Sequence, residues 1–441
     1  MVVKTTKTST SAAVHSVDPD RWWDEFGALL DRIRPRFGRF EPARHAAGLM
    51  HGLLSGLERK NCWTIAEHLG HRDPEALQHL LSRAKWDDDG VGDDLLGYVL
   101  DAFNDPAGIL VIDETGDLKK GELTVGVQRQ YTGTAGRIEN AQVAVYLTYT
   151  APRGHALIDR ALYLPKSWTQ DPKRLAAAGV PADVEFATKP ALALRMIGEA
   201  LDAGAQASWV TGDEVYGNDP GLRSGLQERR VGYVLAVSCD HRIPTNCGPV
   251  RADSVARGLP PQSWQRLSAG RGSKGHRVYS WAYLELPAVE TGHAWILMRR
   301  NDSTGELAYY RCYHPRPVPL GELVRVAGQR WTIEESFQAA KGQGGLDEHQ
   351  VRTWTSWHRW TVLCMLAMAF LAVVTAAEND RAPTSSDLIP YTLNEIRRLF
   401  DSLTTGLRLK SHELVLHWSK LHRRHQAIAR ECHYRRRSQH L

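Results

Sequence analysis

Three acidic residues stand where they could do chemistry together. Asp113 closes the apolar run of "GILVIDETG", Asp213 closes that of "ASWVTGDEVYG", and Glu334 sits in "RWTIEESFQAAKGQGG". Both aspartates read as the ends of short, β-branched strands, the place where ligands gather in open mixed sheets. Set side by side, two such carboxylates repel unless a proton or a cation lies between them. With oxygen donors alone, the fitting cation is Mg²⁺ or Mn²⁺. A single aspartate at a strand end also serves as a turn or cap residue, and that alternative stays open for each taken alone.

The third acid has a neighbour of the same type, so its helical phase decides between them. At about 100° per residue, Arg330, Glu334 and Lys341 fall within about 40° of one another, with Gln338 on the same stripe. Glu335 points about 100° away. Ile333 and Phe337 form an adjacent apolar stripe suited to packing on a sheet. Glu334 is therefore the candidate, held between two cations. A solvated ion-pair face is the competing reading of the same spacing.

Elements must bring these residues together. From Asp20 to Phe103 the apolar spacing is helical, and a corner at Gly70 resembles a helix-turn-helix. Bundle packing is the alternative there. Asp73 and Pro74 read as the cap and first residue of its second helix. From Pro106 the texture becomes β. "GILVIDETG", "ELTVGVQRQYT", "AQVAVYLTYTAP" and "HALIDRALYLP" suggest an antiparallel meander. A helix, "KPALALRMIGEALDAG", and the strands "ASWVTGDEVYG" and "GYVLAVS" follow, so the class is α/β, a mixed sheet flanked by helices. Alternating runs between Asp240 and Pro319 read as an all-β insertion. The expected division is a polar tail over residues 1–19, a helical domain over 20–105, and a catalytic core over 106–240 and 320–380. The insertion spans 241–319, and a linker with a basic tail spans 381–441.

The bulk numbers exclude several classes. The chain has 441 residues, 42% of them apolar, and a net charge of only +5. Its six cysteines are scattered with no C-x-x-C pair, which argues against zinc and against a disulfide scaffold. The first residues lack the apolar stretch of a signal peptide. The run from Trp360 to Ala377 is long enough to border on a membrane span, and is read as a buried helix. Together these predict a cytoplasmic protein. The positive charge is concentrated at the end, where Arg423, Arg424, Arg430, Arg435, Arg436 and Arg437 cluster around a single acid, Glu431. Such a tail suits a phosphate backbone, or is a plain exposed tail.

The ordered set of three acids resembles the DDE transposases of bacterial insertion sequences. "RW-x-IE" with Lys341 resembles the group with a Tyr-x₂-Arg-x₃-Glu-x₆-Lys signature, although its Tyr position holds Ala327. "VIDETG" and "GDEVYG" resemble the two Asp regions of that group, and the likeness runs from about Trp22 to Arg437. It implies an RNase H-like core interrupted by a β-rich insertion. It also implies Asp113, Asp213 and Glu334 as catalytic ligands of two Mg²⁺ or Mn²⁺ ions. The implied partners are double-stranded DNA, both transposon ends and target, and a second copy of the chain in the synaptic complex. Arg330 and Lys341 would hold DNA phosphates.

Lys119, Lys120, Arg129 and Arg137 beside the first Asp, and Arg423, Arg424, Arg435, Arg436 and Arg437 in the tail, are further candidates for DNA contact. Glu114, Asp117 and Glu214 flank the acids and are expected to be supporting residues, not ligands. Trp281 and Trp295 lie in the insertion, where core packing competes with stacking on a base. Two other functions remain in competition: a DNA-binding regulator without catalysis, and a hydrolase of another kind that pairs carboxylates, such as a glycosidase.

Overall fold

The computed structural model describes residues 17–245, 248–272, 275–287, 291–382 and 388–405, with 416, 420, 423, 424, 426–428, 430–432, 434, 435, 438 and 439 near the C-terminus. By its contacts the chain divides into two compact units. One is Val99–Phe337 with Val351–Thr355; the other is Met1–Tyr98 with Gln338–Gln350 and Ser356–Leu441.

The first unit is built on one ten-stranded sheet. Strand β1 (Gly108–Leu118) is followed by β2 (Gln128–Thr132), β3 (Arg137–Ala151) and β4 (Gly154–Leu162). All pair antiparallel to β3: β1 runs along Ala141–Thr150 on one edge, and β2, on Arg137–Ala141, and β4, on Ala144–Ala151, share the other. β1, β3 and β4 make an antiparallel meander as expected, but β2 does not join it in sequence order: it pairs with β3 as an edge strand. Helices α6 (Lys166–Thr169), α7 (Pro172–Ala178) and α8 (Lys189–Asp202) lead to β5 (Ala207–Gly212). Then come α9 (Glu214–Gly217), α10 (Pro220–Glu228) and β6 (Gly232–Val237). β5 lies parallel to β1, and β6 parallel to β5. Three parallel strands flanked by an antiparallel meander give the α/β, RNase H-like mixed sheet.

The insertion contributes a two-stranded pair, β7 (Arg242–Ile243) and β8 (Val250–Arg251), then α11 (Ala252–Gly258). Its four longer strands are β9 (Gln265–Gly272), β10 (Gly275–Glu285), β11 (His293–Arg300) and β12 (Leu307–His314). They do not form a separate sheet. β12 pairs with β6, so the core sheet continues as β6-β12-β11-β10-β9. The central run of β12, "YYRCY", is buried throughout, Arg311 included, beside a largely buried β6.

Side-chain alternation gives the sheet two distinct faces. Asp113, Tyr146, Trp209 and His155 share one face by register. It receives α12 (Leu320–Gln329) and α13 (Trp331–Gly344): Trp209 donates to Glu322 at 3.1 Å, and Tyr146 meets the ring of Phe337 edge-on at 5.5 Å. Glu114, one residue along, points the other way, toward α8 and α9.

The second unit is helical. It holds α1 (Pro19–Ile33), α2 (Phe40–Leu54), α3 (Cys62–His68), α4 (Glu75–Ser82) and most of α5 (Asp88–Phe103). Gly70 turns the chain between α3 and α4 with φ of 76°, a conformation that favours glycine. Asp73 accepts from the Glu75 amide at 2.9 Å, but the helix starts at Glu75 with Pro74 in the cap position, one residue later than expected. The apolar stretch becomes α14 (Trp354–Arg381), with 83% of its most apolar window buried. Trp22 donates to Glu378 at 2.9 Å, and Phe26, Phe370 and the Phe400 of α15 (Leu393–Phe400) pack edge to face. From Ser356 onward α14 groups by its contacts with the N-terminal helices. Residues 1–16, most of the expected polar tail, lie outside the described residues.

Candidate active site

Strand register brings the two aspartates together. Ile112 pairs with Gly212 across the parallel β1–β5 ladder, so the next residue on each strand is an aspartate on the same face. Asp213 follows the end of β5, and its carboxylate accepts from the Val215 amide at 2.9 Å, capping the turn into α9. Asp113 is not at a strand end as the sequence suggested. It lies midway along β1, at the level where neighbouring β5 stops. β-branched apolar residues carry β1 to that point, and pairing with β3 carries it five residues further.

The pair is costly as two anions. Asp113 is 8% exposed, and burial first, then the charge of Asp213, push its pKa up to about 8. Arg330 acts against that shift. Asp213 is also raised, by burial first and then by the charge of Glu114. A buried carboxylate beside another holds a proton, or needs a cation.

Arg330 stands between the pair and the third acid. It caps α12 just before α13 begins, in helical conformation, so the helical stripe is nearly continuous through it. Its guanidinium lies 3.7 Å from Asp113 Oδ2 and 4.0 Å from Glu334 Oε1. Glu335 turns elsewhere: its Oε2 lies 3.8 Å from His155 Nε2. Burial pushes His155 down to about 4, so the imidazole is neutral at pH 7 and this contact is no ion pair there. The ring is oriented by Ser336 Oγ at 2.9 Å from Nδ1. Lys341 lies in the last turn of α13, in the residues that group with the helical unit.

A second layer, with no signal in the residue spacing, supports the pair from the opposite face. Glu114 accepts from Lys189 Nζ at 2.6 Å and from the Tyr216 hydroxyl at 2.7 Å. Its amide donates to Asp113 Oδ1 at 2.8 Å. Burial, then Glu114, raise the Tyr216 phenol far above its ordinary value, so it stays protonated and donates. Glu114 is thus committed to structure, while Lys189 and Tyr216 escaped sequence reading.

Beside Asp213 opens a cavity of about 690 Å³, reached by Arg330 and Trp331 and floored by the insertion. Tyr279, Trp281 and Arg299 form one face of it by register, and Arg277 lies on the same face. Period-two spacing of Arg277, Tyr279 and Trp281 was the signal that could have found them. Trp281 is 1% exposed, and its indole Nε1 has no hydrogen-bond partner. The Arg277 side chain donates to the carbonyls of Ala269 and Gly328 at 3.2 and 3.1 Å. Trp295 is buried elsewhere, stacked on His293. Ala327 lines the cavity at the position where the signature has tyrosine.

The other cations are dispersed. Lys120, Arg129 and Arg137 are exposed around the β1–β3 region, and Lys119 is half-buried there. Arg137 pairs with Glu139 at 2.9 Å. In the tail, Arg424 is exposed and Arg435 pairs with Glu431 at 2.7 Å. Arg423 must be corrected: it is 6% exposed, stacks 3.6 Å over Tyr391 and donates to the Ile389 carbonyl at 3.0 Å. A guanidinium spent on an aromatic face and a carbonyl is not available to phosphate. Arg436 and Arg437 lie outside the described residues.

The donor set fits a hard divalent cation: carboxylate oxygens only, two of them adjacent and penalised as anions. The set is not closed, since Arg330 lies between Asp113 and Glu334. Among the described residues no three His, Cys, Asp or Glu side chains gather closely enough to ligate one ion as they stand.

A family model described as DDE superfamily endonuclease matches residues 32–285, more than half of the chain. The match includes Asp113 and Asp213 and ends before Glu334. A probable transposase for insertion sequence element IS701 from Microchaete diplosiphon is 30% identical over 223 residues, 50% of this chain and 54% of that protein. The chain thus spans about half the length of that curated relative. Among solved structures, a piggyBac transposase synaptic complex with hairpin DNA aligns with a TM-score of 0.43 at 9% identity. That alignment covers 92% of this chain and 84% of the other. By the extent of the family match, the chain belongs to the DDE superfamily endonucleases.

Proposed function

We propose that the protein is a DNA transposase that cuts and joins strands at the ends of an insertion sequence, with Asp113, Asp213 and Glu334 as its metal-holding carboxylates. In this reading it belongs to the group with the Tyr-Arg-Glu-Lys signature and works on chromosomal DNA in the cytoplasm, as a dimer when two ends are paired. The observation that carries the proposal is the register that sets Asp113 beside Asp213, with Arg330 linking the pair to Glu334.

Mg²⁺ or Mn²⁺ held there would screen the phosphodiester and stabilise the attacking and leaving oxygens of an in-line displacement. The chain's own groups do the rest. Asp113 surrenders its proton as a cation binds, which couples occupancy to pH. Arg330 neutralises the carboxylates beforehand, then turns its guanidinium to a DNA phosphate, releasing Glu334 to complete the set. Arg277 and Arg299, both half-buried in the wall of the neighbouring cavity, add positive potential near the scissile bond without binding the backbone directly. Glu114, fixed by Lys189 and Tyr216, holds the β1 backbone at Asp113 in place.

The test uses purified protein and a labelled duplex of the DNA flanking its reading frame. Mg²⁺-dependent nicking that stops on chelation is expected. Asp213→Ala should abolish it while DNA binding survives. Binding without cleavage by the wild type, in Mg²⁺ and in Mn²⁺, would favour the DNA-binding regulator.

A further inference from the structure

The face that carries Asp113 does not end at the acid pair. Antiparallel register extends it along β1 and β3 through Thr115, Asp117, Gln142 and Asn140, and out to Ile138 and its cross-strand partner Tyr131 on β2. There β2 and β3 form a two-stranded ribbon beyond the end of β1, and β2 is an edge of the whole sheet. Large apolar side chains belong inside, yet Tyr131 is 64% exposed and Ile138 59%. Arg129, two residues before Tyr131, is exposed on the same face. Asp117 lies between this tip and the acids, already engaged within the protein.

An exposed apolar pair on an edge strand needs a partner. A second copy pairing edge to edge would set the arginine of "QRQYT" near its own image, a like-charge contact that protects edges from self-pairing. A polyanion suits the site better. Arg129 and Lys120 supply charge, a two-stranded ribbon fits a DNA groove, and apolar side chains at such tips pack against bases and sugars.

We propose that the β2–β3 ribbon is a second DNA contact, in which Tyr131 and Ile138 pack into a groove while Arg129 takes a phosphate. About eight residues of β3 separate Ile138 from Tyr146, the partner of Asp113. At roughly 3.3 Å per residue and about 3.4 Å per base pair, the contact falls about eight base pairs from the scissile phosphate. The proposal rests on the reading of the acid site as the place where DNA is cut.

The experiment maps the cut and the protected bases together, on full-length protein with a linear duplex of the DNA flanking its reading frame. Protection is expected about eight base pairs from the cut. The Tyr131→Ala/Ile138→Ala double variant should lose that protection and bind about tenfold more weakly. Arg129→Ala should reduce the slope of log Kd against log salt by about one. Tyr131→Phe/Ile138→Leu keeps the apolar surface and should bind as wild type, which separates contact from misfolding. If the wild type cuts but the alanine variants bind and protect as it does, this proposal is overturned and the cutting function stands. If the alanine variants lose binding while the wild type never cuts, the contact stands and the cutting function fails. Light scattering that shows the double variant falling from dimer to monomer without DNA would assign the ribbon to a second copy and overturn the proposal.

Discussion

At the scale of residues, the central fact is a carboxylate pair that the fold makes expensive. The pKa of Asp113 is raised, so between about pH 4 and pH 8 the folded chain holds a proton that an unfolded one releases. Its contribution to stability therefore falls as pH rises through that window. In chelator, the wild-type melting temperature should drop between pH 5 and pH 9 more than that of Asp113→Asn. Parallel curves for the two proteins would show that Asp113 is not the group responsible. The same shift predicts that Mg²⁺ binding releases protons near neutral pH and tightens as pH approaches 8. Calorimetry in buffers of different ionisation heat reads this directly, and a heat that does not vary with buffer contradicts it. Helical phase made Glu334 the candidate from the sequence, and Arg330 lies within 4.0 Å of both Glu334 and Asp113. The role of Arg423 was not legible. Composition cannot tell an arginine facing solvent from one laid over Tyr391.

At the scale of elements, strand order and class were readable because β-branched runs and glycine breaks recur along the chain. The position of Asp113 within β1 was not. A run of apolar residues ending in acids looks like a strand end, and only pairing with the long β3 shows that the strand continues. Continuation of the core sheet into the insertion was hidden for the same reason, since pairing of β6 with β12 joins residues far apart in sequence. The support beneath Asp113 depends on α8 and α9. Removing the ammonium in Lys189→Ala strands a mostly buried Glu114 and should cost about 3 kcal/mol of stability. Tyr216→Phe removes one donor and should cost about 1 kcal/mol. Urea unfolding measures both, and a larger loss for Tyr216→Phe would reverse the assigned roles. The seat of α9 is equally tight. A Cβ at Gly217 would lie 1.8 Å from the backbone oxygen of Ala236 on β6. Gly217→Ala should then destabilise by about 1–3 kcal/mol, as overpacking does, and displace Asp213 with it. An unaltered unfolding midpoint would show that the helix can give way.

At the scale of the whole molecule, one sheet face carries Arg129, Tyr131 and Ile138 at one edge, the acid pair at its centre, and Arg299, Tyr279 and Trp281 toward the other. The modest net charge of +5 conceals this ordering, because acids elsewhere balance the cations. A protein that neutralises several phosphates along such a face should bind DNA with a steep salt dependence. Doubling the salt should weaken binding several-fold, and an affinity indifferent to salt would remove the electrostatic part of the account. The claim on which everything else depends is that Asp113, Asp213 and Glu334, and not Glu335, hold the metal that cuts DNA. It is tested most directly by Mg²⁺-dependent cleavage of the duplex flanking the reading frame, compared across Asp113→Asn, Asp213→Asn, Glu334→Gln and Glu335→Gln. The first three should lose activity by more than about 100-fold, beyond the usual cost of a supporting residue, while Glu335→Gln should cut as wild type. Cleavage that survives Glu334→Gln and fails in Glu335→Gln, or that persists in chelator, would contradict it.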